Sequence, residues 1–420
     1  MKLSSLWTKD DWWAVWIGLF LILLVVSNFI VALPKISIWT DSIGVKIDEI
    51  PLFILLGLGI LLVTSVAVRM TKPEDLKAYV AGFPFIFFLA FLTILVAKQQ
   101  TIETFGLAYA IWGLIFGLII GNFVGTPKAA KTELFIKIGL VVYGSEILFE
   151  TILRAGGLGI FEVTIGLVIV WYFCYLLALK VGLKKSMSAV MATATSVCGV
   201  SAAIASSGAI KGDAKELSYV VSLVLLFSAP MIFLMPVIGH AFGFPDAMFG
   251  AWVGGTIDNT ASVVASGALY SDPAMQIASV VKLSQNILIG VIAFILAVYW
   301  AFKVEKRDDE EKPKPIEIWY RFPKFILGFL LASIIFSLVL TPILGPSTVS
   351  GYTRLAKEFR SWFFALTFVS IGMNTKLSDF KTIGLKKPLF VFAMATIFDI
   401  IISLTTAYIF FGGVFFPSPV

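Results

Sequence analysis

Residues 186–210 read SMSAVMATATSVCGVSAAIASSGAI, and residues 250–270 read GAWVGGTIDNTASVVASGALY. Both are apolar enough to enter a membrane, yet neither has the Leu, Ile and Phe of a lipid-facing helix. Gly, Ser, Thr and Ala dominate, and the second stretch carries Asp258 and Asn259. Segments of this kind are expected to lie inside the protein and to be interrupted, because backbone groups freed at a break need protein or a water-filled cavity around them. A re-entrant hairpin and a broken span both fit, and either leaves the termini on the same sides.

The rest of the chain sets these segments in lipid. Hydrophobic residues make up 59% of 420 and charged residues 14%, with a mean hydropathy of +0.97. A soluble domain is nearer 45–50% apolar and about 25% charged. The 38 Phe and 11 Trp fit a polytopic membrane protein. One histidine (His240) and two cysteines (Cys174, Cys198) exclude zinc, haem and iron–sulfur centres, which need clustered ligands. The surplus of 32 Lys and Arg over 26 Asp and Glu is explained by basic cytoplasmic loops, not by nucleic acid. The first run, 12–33, is long enough to span and has no A-x-A-like site after it, which argues against a cleaved signal peptide.

Apolar runs fall at 12–33, 51–68, 76–97, 104–121, 133–152, 158–180, 186–210, 216–242, 248–270, 276–303, 323–344, 360–374 and 388–411. The fold class is therefore all-α and polytopic, with about eleven transmembrane helices plus the two interrupted segments, 186–210 and 248–270. Four parts are expected: N-terminal helices over 1–103, a transport core over 104–303, a cytoplasmic loop over 304–322 and C-terminal helices over 323–420. Arg69, Lys72, Lys77, Lys128, Lys131, Lys180, Lys184 and Lys185 collect in alternate connectors. This bias puts the N-terminus in the cytoplasm and the C-terminus outside.

The two interrupted segments also echo each other at a spacing of 59: Ala202 with Ala261, Ser207-Gly208-Ala209 with Ser266-Gly267-Ala268, Asp213 with Asp272, Val221 with Val280. A duplicated hairpin and span would be inverted in the membrane, and paired broken segments mark the substrate site of many secondary transporters. Elsewhere, Gly113, Gly117, Gly121 and Gly125 line one helix face. They suit a close helix contact, within one chain or across a homodimer. Pro230 and Pro236 are expected to kink the 216–242 run.

Charges at membrane depth cost about 2.5–3.5 kcal/mol each on insertion scales and are seldom kept without a partner or a role. Glu146, Asp258, Lys282 and Asp399 are such charges. Asp258 and Lys282, with Thr256, Asn259, Thr260 and Ser262, form the candidate binding and coupling site. Gln285 and Asn286 share a helical face with Lys282. A buried ion pair that only fixes helix register is the competing explanation. Glu146 divides evenly between coupling and packing, and Asp399 is expected to be structural or near an interface. Ser196, Cys198, Gly199 and Ser201 would offer donors from the first segment, where a half-helix N-terminus suits an anionic oxygen. Asp258 with nearby hydroxyl and amide oxygens would suit Na⁺.

Five stretches carry a family resemblance: IKIGLVVYG (136–144), TSVCGVSAAIA (195–205), FGAWVGGTIDNTASVVASG (249–267), IASVVKLSQNILI (277–289) and, more loosely, GMNTKLSDFK (372–381). Together they resemble the YeiH-type sulfate exporter family of inner-membrane secondary transporters. The resemblance implies an inverted-repeat carrier with discontinuous helices and a sulfate-like anion as solute. This chain departs from the family's pattern. Asp258-Asn259 stands where His followed by an acid is usual, and Gln285 and Glu146 stand where Arg is usual, while Lys282 is retained. Lost positive charge weakens the case for a dianion and favours a monoanion or zwitterion carried with a cation.

The expectation is thus a secondary active transporter in the inner membrane for a small polar solute, coupled to Na⁺ or H⁺, with no other cofactor. A cation-coupled carrier of a zwitterion or monoanion, or an ion channel, is the alternative. Enzyme activity is not expected, since no HExxH motif occurs and no histidine lies near a candidate nucleophile.

Overall fold

The computed structural model describes residues 9–40, 45, 47–104, 109–304, 314–375 and 386–417. Apart from one isolated bridge between Trp39 and Gln99, the regular structure among them is helical. The main helices are numbered α1–α15 in chain order. Two compact units emerge, each assembled from two stretches of chain: Met1–Glu150 with Lys324–Lys376, and Thr151–Pro323 with Leu377–Val420. This division replaces the linear one into 1–103, 104–303, 304–322 and 323–420. The expected core is cut near residue 150, and the C-terminal helices are shared between the units.

The first unit holds α1 (Asp10–Val26), α2 (Ile50–Thr71), α3 (Leu76–Ala97), α4 (Tyr109–Phe123), α5 (Thr132–Tyr143), α13 (Phe325–Ile334) and α14 (Pro346–Asn374). Its tightest seam lies between α4 and α14. A Cβ on Gly117 would overlap the Val369 carbonyl and lie 2.9 Å from Gly372 Cα. Gly113 and Gly121 meet Phe368 and Met373 in the same way. Gly113, Gly117 and Gly121 are thus spent on packing within the chain, the first of the two contacts the sequence left open, whereas Gly125 lies beyond the end of α4, where a Cβ would meet nothing within 4 Å. Helix α14 begins well before the apolar run at 360–374, because Arg354, Lys357, Glu358 and Arg360 disguise its first half. The run at 133–152 is broken as well. Helix α5 stops at Tyr143, a turn over Gly144–Glu146 follows, and Ile147 is extended.

The second unit holds α6 (Phe149–Lys180), which starts at the boundary, then α7 (Lys185–Ser196), α8 (Val200–Ala209), α9 (Ala214–Phe242), α10 (Asp246–Thr256), α11 (Thr260–Tyr270), α12 (Asp272–Tyr299) and α15 (Lys386–Phe411). Both segments singled out in the sequence are interrupted, at 197–199 and 257–259. At about 1.5 Å per residue, α7 with 12 residues covers about 18 Å and cannot span a membrane alone. Lengths repeat across the two halves: α7, α8 and α9 have 12, 10 and 29 residues, and α10, α11 and α12 have 11, 11 and 28. Pro230 and Pro236 lie inside α9, which runs unbroken through both. At the start of this array Lys184 pairs with Glu216 at 3.1 Å, and that carboxylate holds the Lys184 ammonium above the usual lysine range.

Among the described residues seven helices are long and apolar enough to cross a membrane, so this is a multi-pass membrane protein. The remainder of the eleven expected spans come as shorter helices, such as α1 with 17 residues and α4 with 15, or carry charge, as α14 does. Of the expected loop at 304–322, Ile316–Arg321 forms a short helix, and 305–313 lies outside the described residues. So do 376–381 of the GMNTKLSDFK stretch.

Candidate functional site

The first break is made by Gly199. Its φ of +54° is one that L side chains rarely adopt, and a Cβ there would lie 2.5 Å from both the Asp258 carbonyl oxygen and a Val224 methyl. Only glycine lets the two breaks approach this closely, so a residue in one segment is fitted to a residue in the other. The second break is organised by Asn259. Its Oδ1 accepts from Ala261 N at 2.8 Å and Ser262 N at 3.1 Å, capping α11. Helix α8 has no such side-chain cap. Of the two half-helix N-termini, that of α8 therefore keeps its first amides outside a side-chain cap, and Ser201 beside them is exposed.

Helix α12 ties the breaks together from one face. Lys282 is fully buried, and its Nζ donates to the Val197 carbonyl at 2.9 Å and to Gln285 Oε1 at 2.6 Å. Gln285 Nε2 in turn donates to Gly255 O at 3.1 Å and Ser196 O at 3.4 Å. These carbonyls belong to the C-terminal ends of α7 and α10, where helix geometry leaves acceptors unmatched and the helix dipole is negative. One ammonium and one amide thus satisfy the ends of both half-helices. Close packing makes this reach feasible: a Cβ on Gly254 would lie 2.9 Å from Ala278 O of α12.

The expected site residues meet in this unit, with one exception and several changed roles. Ser196, Cys198, Gly199, Thr256, Asp258, Ser262, Lys282, Gln285 and Asn286 are buried, and Asn259 and Thr260 are half-buried. Glu146 is the exception. It lies in the first unit, paired with Arg360 at 2.7 Å. Ser196 and Thr256 were expected to face a solute, but their hydroxyls donate within their own helices, to Ala192 O and Trp252 O. Thr260 Oγ1 accepts from Asn286 Nδ2 at 3.2 Å. Among the described residues no ion pair joins Asp258 to Lys282. The two charges interact through space, and Asp399 interacts with both. The direct balance expected between them is replaced by backbone carbonyls and Gln285, which a buried ammonium can use at less cost than a second buried charge. No group of His, Cys, Asp and Glu among the described residues is arranged to hold a metal ion.

Two further acids lie in this unit: Asp399, expected to be structural or near an interface, and Glu162, not singled out in the sequence. Both are buried in this unit, at 5% and 1% exposure. Glu162 sits in GIFEVTIGLVIV, and a lone acid in an apolar run is the signal that singled out Glu146.

Residues 81–392 match the family described as Conserved hypothetical protein 698. A UPF0324 membrane protein of Rhodopirellula baltica is 40% identical over 82% of this chain and 65% of its own length. Another, from Nitratidesulfovibrio vulgaris, is 38% identical over 81% of this chain and 61% of its own. The chain therefore spans less than two thirds of these relatives. A UPF0324 membrane protein of Nitrosomonas europaea is 28% identical over 99% of this chain and 98% of its own length. No solved structure matches. With a family match over most of its length and its buried Lys282 among the resembling stretches, the chain belongs to the YeiH/UPF0324 family of membrane proteins.

Proposed function

We propose that this protein is a secondary active transporter of a small oxyanion, sulfate-like in chemistry, driven by Na⁺ or H⁺. One observation carries the reading: Lys282 is a fully buried ammonium bonded to the end of one interrupted helix and to a neutral side chain, Gln285, which reaches the ends of both. An anionic oxygen could take the place of Gln285 Oε1 without unfolding either break. The uncapped N-terminus of α8, with Ser201, would supply further donors. Transport would follow from exposing this site alternately to the two sides of the membrane. By the bias of basic residues the protein would sit in the cytoplasmic membrane, with its N-terminus inside and its C-terminus outside. Neither an enzymatic activity nor a cofactor beyond the coupling ion belongs to this reading.

The test is thermal stability of the purified protein in detergent with sulfate, sulfonates and carboxylates, each in Na⁺ and in K⁺. An anion at 100 times its Kd adds about 2.7 kcal/mol. Sulfate is expected to stabilise the wild type and to leave Lys282→Met unmoved. Failure of every anion, or an equal response from Lys282→Met, would overturn the proposal. Stabilisation by Na⁺ alone, lost in Asp258→Asn, would favour a cation-coupled carrier of a zwitterion or monoanion. Flux that rises without saturation would indicate a channel.

A further inference from the structure

Glu162 on α6 is 1% exposed, and neither of its carboxylate oxygens has a hydrogen-bond partner among the described residues. It faces the end of α10. A point 3.3 Å from Glu162 Oε1, the Cβ position that Gly255 lacks, is also 3.4 Å from Ser403 Oγ on α15. Ser403 donates to Asp399 Oδ1 at 2.9 Å, and the charge of Asp399 acts on Glu162. Asp399 and Ser403 belong to a buried polar stripe on α15, Thr396–Asp399–Ser403–Thr406. Its spacings of three, four and three keep it on one face of the helix. Trp252 Nε1 of α10 donates to Ile400 O, which clamps that helix to α15 beside the stripe.

A carboxylate buried with neither oxygen bonded is among the costliest states a side chain can take, and a neighbouring carboxylate adds to the cost. A protonated carboxyl is neutral and gains an O–H donor. We propose that Glu162 and Asp399, with Ser403 beside them, form a proton-binding site, and that H⁺ is the ion coupled to the solute. The charged groups around the pair are Asp258 at the second break and Lys282 on α12. Asp399 acts both on Lys282 and on Glu162, so a proton taken up at the pair makes the surroundings of Lys282 less negative. Proton binding at the pair and anion binding at Lys282 therefore favour each other, and the linkage is reciprocal. The coupling role rests on the transporter reading; the proton site does not.

Infrared spectroscopy of the purified full chain, in H₂O and D₂O near neutral pH, reads the site directly. The wild type is expected to show the deuterium-sensitive carbonyl band of a buried protonated carboxyl. Glu162→Gln and Asp399→Asn should each remove or shift it, and Asp258→Asn should keep it. Absence of the band from the wild type, or its persistence unchanged in both pair variants, would overturn the proposal. Sulfate added to weakly buffered protein tests the coupling separately, with proton uptake expected from the wild type and lost in Glu162→Gln. A band that obeys the variants without sulfate-driven uptake would establish the proton site and count against sulfate as the solute.

Discussion

Each unit buries charge, and the two do so in opposite ways. In the first, Glu146 bonds to Arg360 Nε at 2.7 Å, and the guanidinium lies 4.6 Å from the Tyr143 ring centre and 5.2 Å from that of Phe364. Opposite charges are in direct contact, and aromatic faces cover the cation. In the second, Asp258 and Asp399 share one ammonium, Lys282, which is bonded to a backbone carbonyl and an amide instead of to either, and Glu162 has no hydrogen-bond partner among the described residues. A closed pair has nothing left to bind. The open cluster retains unmet acceptors at a place where two helices are already broken. Similar residues at similar depth therefore read as scaffold in one unit and as site in the other.

The largest effect is expected from opening the closed pair. Arg360→Ala takes the guanidinium away from the largely covered Glu146 carboxylate, at a cost of about 3–5 kcal/mol. Arg360→Met combined with Glu146→Leu should recover most of that loss, since two apolar groups of similar volume bury well. Thermal unfolding in detergent reads both. If the single variant melts like the wild type, the pair is not the scaffold described. If the double variant is as unstable as the single one, the pair does more than neutralise itself.

A smaller effect is expected where the breaks touch. Gly199→Ala places a methyl against the Asp258 carbonyl and Val224, in a backbone conformation that disfavours side chains. A cost of about 1–3 kcal/mol follows. Because the strain falls between the two breaks, the response to sulfate should weaken along with stability. Gly208 provides the control, since a Cβ there meets nothing within 4 Å. An unaltered melting point and an unaltered sulfate response in Gly199→Ala would separate the breaks from the site.

Much of this arrangement is legible before folding. Small polar residues in two apolar runs mark both interruptions, because lipid would not tolerate freed backbone groups. The echo at a spacing of 59 anticipates the paired array of short, short and long helices. What stays hidden is which groups meet. Lys282 is satisfied by the carbonyl of Val197, 85 residues away, and no side-chain pattern announces a carbonyl. The pairing of Glu146 with Arg360 spans 214 residues. Glu162 was visible as an acid in an apolar run, but its lack of partners is a property of the packed unit alone.

The smallest change in stability should come from Asp258→Asn, and this variant sharpens the comparison most. Asp258 makes no ion pair among the described residues, so a neutral isostere removes a buried charge without stranding a partner. Stability should stay within about 1 kcal/mol of the wild type. Yet Asp258 interacts with Lys282 on the solute side and with Asp399 on the proton side. In the proposed mechanism it is the charge through which the two sites would sense each other. The variant should still be stabilised by sulfate and still show the protonated carboxyl. In proteoliposomes it should exchange sulfate without accumulating it against a gradient. Full accumulation by Asp258→Asn would place the coupling elsewhere and make Asp258, like Glu146, a matter of packing.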